Sequence, residues 1–149
     1  MKDFIVRKSI TIRAELKTVW DALTNPEKTK EYFYNCRVIS QWKPGSPITF
    51  KGWMFFFVPI ELKGRINKIQ PGKLLQYTLR NKGKTSSVVT DELEYENGKT
   101  ILSITDDVGQ GDGAEKRFKR SVKGWEKILK GLKKLVEGEA REAKRLARK

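Results

Sequence analysis

The spacing of hydrophobic and polar positions changes along the chain. Between Phe4 and Ile12 apolar residues recur at even spacing, which predicts a strand. From Asp112 to Lys149 they recur at intervals of three and four, which predicts one long amphipathic helix. The apolar stripe of this helix comprises Phe118, Val122, Trp125, Leu129, Leu132 and Val136.

Two short helices are predicted after the first strand. Apolar residues around Trp20 have helical spacing, and Asn25-Pro26 interrupts them. Pro26 suits the first turn of a second helix, because the amide hydrogen that proline lacks would be unpaired there anyway. We expect the second helix to end near Asn35.

The segment from Cys36 to Val108 has the turn signals of an antiparallel meander. Pro-Gly and Asn-Gly pairs separate runs rich in β-branched and aromatic residues. Asn97-Gly98 predicts a type I′ hairpin, since both central residues of that turn have positive φ. The meander needs cover on its apolar face, and only the long helix is large enough to supply it. The predicted fold class is therefore α+β, with a curved antiparallel sheet of about six or seven strands packed across the long C-terminal helix.

The two ends of the long helix carry different signals. Asp112 and Glu115 resemble a capping box, and the glycine-rich residues before them suit a flexible connector better than a phosphate cradle. An unbroken helix would be roughly 50 Å long, too long to lie over one small sheet. We expect the part after Val136 to overhang, giving a domain over residues 1–137 and a basic helical extension over 138–149.

Positive charge concentrates on this helix. The chain has a net charge of +14, and the residues from Ala114 onward contain 14 Lys or Arg against 5 Glu. We expect this face to be the solvated side of the helix. The alternative is docking on nucleic acid, an anionic membrane or an acidic protein partner, which would weaken steeply with added salt. The basic face comprises Lys116, Arg120, Lys123, Lys127, Lys130 and Lys134.

Candidate catalytic groups are few. The absence of histidine excludes Ser-His-Asp triads and imidazole metal sites, and no metal or cofactor is expected. The carboxylates from Glu92 to Glu96 alternate, so we expect them on the wet face of a strand. Asp106 and Asp107 suit a strand end better than a cation site. Cys36 is expected to pack in a strand, and without a signal-peptide pattern the default expectation is a cytoplasmic protein.

Four segments resemble one known family. They are 19–27 (VWDALTNPE), 64–77 (GRI through Pro71 to Leu75 and Tyr77), 98–102 (GKTIL) and 124–129 (GWEKIL). They resemble the C-terminal domain of the activator of Hsp90 ATPase, within the START-like or Bet v 1-like (SRPBCC) helix-grip superfamily. The resemblance implies a sheet that grips the helix around a cavity, which often takes an apolar ligand. Full-length Hsp90 activators have an extra N-terminal domain without a counterpart here, so a Hsp90-type chaperone is not an expected partner.

The implied cavity leads to the hypothesis that the protein binds a ligand there. We predict a non-enzymatic module that binds a small hydrophobic molecule, with Tyr77 and tryptophan N–H groups as polar anchors. A cyclase-like enzyme would instead need an Asp or Glu inside the cavity, and the sequence places none there. The residues expected to line the cavity are Phe33, Phe50, Trp53, Phe55, Tyr77, Phe118, Val122, Trp125 and Leu129.

Two further features each allow several interpretations. The run from Trp53 to Val58 is apolar throughout, so its second face packs under another element, lines the cavity mouth or forms a partner surface, for example in a homodimer. Gly124, Gly131 and Gly138 each cost roughly 1 kcal/mol against alanine in a helix. They either let the helix approach the sheet closely or leave room for a ligand beside Trp125.

Overall fold

The computed structural model describes residues 3–54, 58–80 and 85–148. The predicted order of elements is confirmed, with one strand, two short helices, six more strands and a long helix. The elements are β1 (Ile5–Ile12), α1 (Leu16–Thr24), α2 (Pro26–Tyr32), β2 (Cys36–Ser40), β3 (Pro47–Met54), β4 (Val58–Gln70), β5 (Leu74–Arg80), β6 (Ser86–Glu96), β7 (Lys99–Asp107) and α3 (Ala114–Ala147).

The seven strands form a single antiparallel sheet in the order β1-β7-β6-β5-β4-β3-β2. Strands β2 to β6 each pair with the next strand along the chain, and β1 pairs with the last strand, β7. The predicted hairpin joins β6 to β7 through Asn97 and Gly98, whose φ angles are 51° and 77°. The α+β helix-grip architecture is thereby confirmed.

Helices α1 and α2 meet at Asn25. Its backbone N–H donates to the Asp21 carbonyl at the end of α1, and its side chain accepts a hydrogen bond from the Glu27 amide at the start of α2. Within α2 the buried Thr29 hydroxyl accepts from the Val38 amide at 3.0 Å, which fixes the helix to β2. Cys36 is buried at the start of β2, where desolvation raises the pKa of its thiol, so it acts as a packing residue.

Helix α3 covers the buried face of the sheet. Trp125, Leu129, Leu132 and Val136 of the predicted stripe are buried, as is Ile128, which the prediction omitted. Phe118 and Val122 are half-buried at the edge of the core.

At the C-terminal end of α3 the residues from Arg141 to Arg148 are all exposed, and this segment is called the overhang below. Just before it, Glu137 and Glu139 hold the helix against the rest of the fold. Glu137 accepts the Arg13 amide at 2.9 Å, and Glu139 pairs with the Lys28 ammonium at 3.3 Å.

The predicted capping box at the start of α3 was wrong. The N-cap is Gly113, with φ 81° and no side-chain hydrogen bond. The Arg117 guanidinium instead reaches back to the connector and donates to three carbonyl oxygens, those of Val108, Gln110 and Asp112, at 2.9 to 3.2 Å. A guanidinium can do this because its N–H groups are arranged as a rigid fork.

The glycines of α3 make room for α2 and the loop after it, which neither interpretation of them anticipated. A Cβ on Gly131 would lie 3.0 Å from the Tyr32 Cβ, and one on Gly124 would lie 2.8 Å from the Tyr34 hydroxyl. A Cβ on Gly138 would meet only the end of the Arg141 side chain, at 4.0 Å. The first two sites are therefore close approaches, whereas the third is open.

Gly131→Ala and Gly138→Ala should change stability in opposite directions. Alanine gains about 1 kcal/mol over glycine inside a helix, and Gly138→Ala should show that gain. At Gly131 the new methyl presses on Tyr32, whose hydroxyl is already fixed to the Ala22 carbonyl, so overpacking of about 1–3 kcal/mol should outweigh the gain. Urea unfolding of the two variants measures both effects. Equal stabilisation by both would contradict the contact between α2 and α3.

Candidate functional site

A small cavity lies between the sheet and α3. Its volume is about 20 Å³, which suits one water molecule. Its wall draws on α1, α2, α3 and five of the strands. The lining residues are Leu23, Thr29, Tyr32, Phe33, Val38, Ile48, Phe50, Leu75, Tyr77, Asp91, Ile104, Trp125, Ile128, Leu129 and Leu132.

Four aromatic residues from different elements form one side of this wall. The rings of Phe33 and Phe50 stack with their centroids 4.5 Å apart, and Trp125 meets Phe33 edge-on at 6.0 Å. Tyr77 continues the cluster, with its ring 5.8 Å from that of Phe50. Together with Leu129, these are the predicted lining residues that the fold brings together.

The other predicted lining residues lie elsewhere. Trp53 is 53 % exposed, because it is three residues after the buried Phe50 and strand side chains alternate between faces. Phe118 meets the ring of Phe4 at 6.2 Å, beyond the end of the cavity, and Val122 is half-buried outside it. Phe55 lies outside the described residues.

The aromatic run from Trp53 to Val58, which begins at the end of β3, is exposed where it is described. Trp53, Met54 and Val58 are each more than 40 % exposed, so they do not pack under another element. Residues 55–57 lie outside the described part of the chain. A partner surface at this hairpin stays a prediction.

Asp91 is an acidic residue of the cavity wall that the sequence did not predict. It lies on β6 between the buried Val89 and Leu93, and only 4 % of it is exposed. Burial, and secondarily the charge of Asp106, raise its pKa to about 7. Among the described residues, none forms a hydrogen bond with its Oδ1 atom.

Asp106 lies on the neighbouring strand β7 and joins the sheet to α3. Its Oδ2 atom accepts the Ser121 hydroxyl at 2.6 Å and the Trp125 indole N–H at 2.9 Å. Burial raises its pKa, while these two hydrogen bonds oppose the rise. The Trp125 N–H, which we expected to anchor a ligand, is therefore used within the fold. Asp107 points to the exposed face and accepts the Gly109 amide, so the two acids do not share a site.

Two tyrosines add neutral polar groups to the wall. Burial and Asp91 raise the pKa of Tyr32, whose hydroxyl donates to the Ala22 carbonyl at 2.7 Å. Burial, Asp91 and Asp106 raise the pKa of Tyr77 as well. The residues that line the cavity include no basic side chain. The polar groups of the described wall are thus one lone carboxyl, with a second nearby, two neutral phenols and the Thr29 hydroxyl.

A signal for the two buried acids was present in the sequence. Asp91 continues the even spacing of Val89 and Leu93, and Asp106 continues that of Leu102 and Ile104. Every second residue of a strand faces the core, so both acids lie on the same face as these buried apolar residues. The exposed Glu92, Glu94 and Glu96 have the opposite phase, as predicted.

All six residues of the basic face are exposed on α3. Lys127 lies over the Tyr34 ring, 5.9 Å from its centroid. Within the part of the chain that the structure describes, none of the helices combines the length and apolar character needed to cross a membrane. Docking of this face on an anionic partner stays a prediction.

Residues 13–137 match the family described as Activator of Hsp90 ATPase homolog 1-like protein. The chain belongs to this family. No curated protein matches the sequence.

Solved structures share the fold of this chain. A protein from Cytophaga hutchinsonii is 30% identical, with a TM-score of 0.72 and coverage of 95% of this chain and 99% of its own. DynU16, a putative protein in the dynemicin biosynthetic locus, is 18% identical, with a TM-score of 0.74 and coverage of 91% of this chain and 48% of its own. The Aha1 dimer from Colwellia psychrerythraea is 18% identical, with a TM-score of 0.69 and coverage of 89% of this chain and 96% of its own. At 18% identity, the last two likenesses concern the fold alone.

Asp91→Asn should reduce the pH dependence of stability. Because the folded state raises the pKa of Asp91 from 3.8 to about 7, it holds a proton that the unfolded chain has released, so wild-type stability falls as pH rises through this interval. The full effect is roughly 4 kcal/mol at most. Asparagine has no proton to lose, so the variant should match the wild type near pH 4 and exceed its free energy of unfolding near pH 8, as measured in urea.

Glu92→Gln supplies the control for this experiment. Glu92 neighbours Asp91 on the exposed face of the same strand. Its replacement should leave the pH dependence of the wild type in place. A free-energy difference between wild type and Asp91→Asn that is constant from pH 4 to pH 8 would show that Asp91 is not the titrating group.

Proposed function

We propose that this family member is a binding module for a small, largely apolar molecule held between the sheet and α3. The observation that carries the proposal is the cavity at that place, where four aromatic rings and a lone carboxyl converge. Binding sites commonly combine an apolar wall with a few placed polar groups. The helix-grip resemblance supports the same function, since its cavity often takes an apolar ligand.

The cavity must widen to accept more than water, and Phe33 is the wall residue best placed to move. It follows α2 directly, and Tyr34 and Asn35 after it have φ angles of 47° and 60°. Left-handed backbone at two successive non-glycine residues stores strain, of order 1–3 kcal/mol each. Rotation of this segment would withdraw the Phe33 ring from Phe50 and open the space between them.

A neutral hydrocarbon should therefore bind at the cavity. Ethylbenzene is a suitable probe, and methyl NMR should show saturable shifts at Ile48, Leu75 and Leu129, with the exposed methyls of Ile39 and Leu146 unchanged. Phe33→Ala should bind it at least about tenfold more tightly, because a preformed space removes the cost of opening. Shifts confined to the exposed methyls, or no shifts at all, would contradict the proposal.

Acid–base catalysis on a bound carbonyl compound is the second candidate function. Asp91 favours it, because a carboxyl with a pKa near 7 can both accept and return a proton at neutral pH. This supplies the cavity carboxylate that a cyclase-like enzyme requires. Ionised Asp91 would take a proton from the carbon beside the carbonyl, and the protonated acid would return one to the same carbon.

Phenylacetone tests this second candidate. In D₂O the protein should accelerate exchange of its α-protons above the rate in buffer, measured by ¹H NMR. Asp91→Asn should lose the acceleration because an amide cannot accept the proton, whereas Glu92→Gln should keep it. Exchange at the buffer rate with wild-type protein would rule against acid–base catalysis of this kind, while leaving the binding proposal intact.

A further inference from the structure

Two buried carboxyl oxygens in the core lack hydrogen-bond donors. They are Asp91 Oδ1 and Asp106 Oδ1, and no described residue donates to either of them. Their residues are 4 % and 6 % exposed, so bulk water does not hydrate these oxygens freely. A buried acceptor without a partner costs free energy comparable to a lost hydrogen bond. Any donor to these two oxygens must therefore come from outside the described part of the chain.

The two acids lie side by side on the buried face. Asp91 is opposite Ile104 in the β6–β7 pairing, and Asp106 is opposite Val89. This register makes them diagonal neighbours, roughly 7–8 Å apart at Cα. Asp91 lines the cavity itself, whereas Asp106 stands behind Trp125 and binds its indole N–H. A donor placed in the cavity would first meet Asp91.

The aromatic residues of the cavity wall favour a donor that carries a positive charge. Phe33, Phe50, Tyr77 and Trp125 surround the same space, and aromatic ring faces attract cations. A carboxylate ligand would instead place a third acid beside Asp91 and Asp106. The interior therefore disfavours anions, although the exterior, with a net charge of +14, attracts them.

We propose that the cavity takes a small organic amine, whose ammonium group donates to Asp91 Oδ1 and whose hydrocarbon part lies among the rings of Phe33, Phe50 and Trp125. This rests on the binding function proposed above and names the chemical class of the ligand. The ammonium supplies the missing donor and the positive charge together. A neutral amine that enters when Asp91 is protonated takes up that proton and forms the same pair.

Three probes that share a phenylethyl group separate the contributions of charge and hydrocarbon. Phenethylamine carries the ammonium, ethylbenzene lacks it, and 3-phenylpropionate carries a carboxylate instead. In methyl NMR titrations, phenethylamine should bind at the cavity at least about tenfold more tightly than ethylbenzene, and 3-phenylpropionate should not bind there. Asp91→Asn should weaken phenethylamine binding at least about tenfold. Glu92→Gln, altered on the opposite face of the same strand, should leave phenethylamine binding unchanged.

A measurement on the wild-type protein covers the case in which Asp91→Asn does not fold. The ¹³Cγ resonance of Asp91 at pH 6 should move towards the ionised position when phenethylamine is added, and ethylbenzene should leave it in place. If ethylbenzene binds and phenethylamine binds no better, the amine proposal is overturned and the binding function stands. If none of the probes shifts the cavity methyls, the binding function fails with it.

Discussion

Two hydrogen bonds to one carboxylate oxygen hold α3 against the sheet. Ser121 and Trp125 lie one turn apart on the helix, and both donate to Asp106 Oδ2 on β7. Hydrogen bonds to a charged group are stronger than neutral ones, and burial strengthens them further. They fix the rotation of α3 and so place the Trp125 ring edge-on to Phe33. The aromatic wall of the cavity therefore depends on a polar contact behind it.

Helix α2, like α3, is fixed by contacts with the elements around it. Gly131 lets Tyr32 approach α3, and the Tyr32 hydroxyl ties α2 to α1 through the Ala22 carbonyl. Thr29 ties the same helix to β2. With α2 fixed on three sides, the left-handed backbone of Tyr34 and Asn35 just after it is where we propose that the wall moves. The fixed helix α2 is thus followed directly by the strained backbone of Tyr34 and Asn35.

Periodicity predicted the elements well, because helices and strands bury side chains at fixed intervals. It predicted the cavity less well. Trp53 is aromatic like Phe50, but a separation of three residues places the two side chains on opposite faces of a strand. Phe118 shares the stripe of Trp125, yet the first turns of α3 lie over Phe4 beyond the cavity. The position of a helix along a sheet cannot be obtained from its own spacing.

The acids were missed for a different reason. Asp91 and Asp106 have the phase of the core, but a charged residue is normally assigned to water because its burial costs free energy. The fold offsets this cost at Asp106 with two donors and at Asp91 with a raised pKa. Neither compensation is visible before the strands and α3 are assembled. The same holds for Arg117, whose three carbonyl partners come together only in the folded connector.

The overhang of α3 has a consequence for motion. From Arg141 to Arg148 the helix is exposed, and the ion pair described there, Glu142 with Arg145, lies within the overhang itself. Short helical segments without tertiary packing open and close readily in water. We therefore expect the last two turns to unfold locally while the domain stays folded, and their amide hydrogens to exchange with solvent far sooner than those around Leu132. One continuous helix thus has a stable part that packs on the sheet and a less stable end that does not.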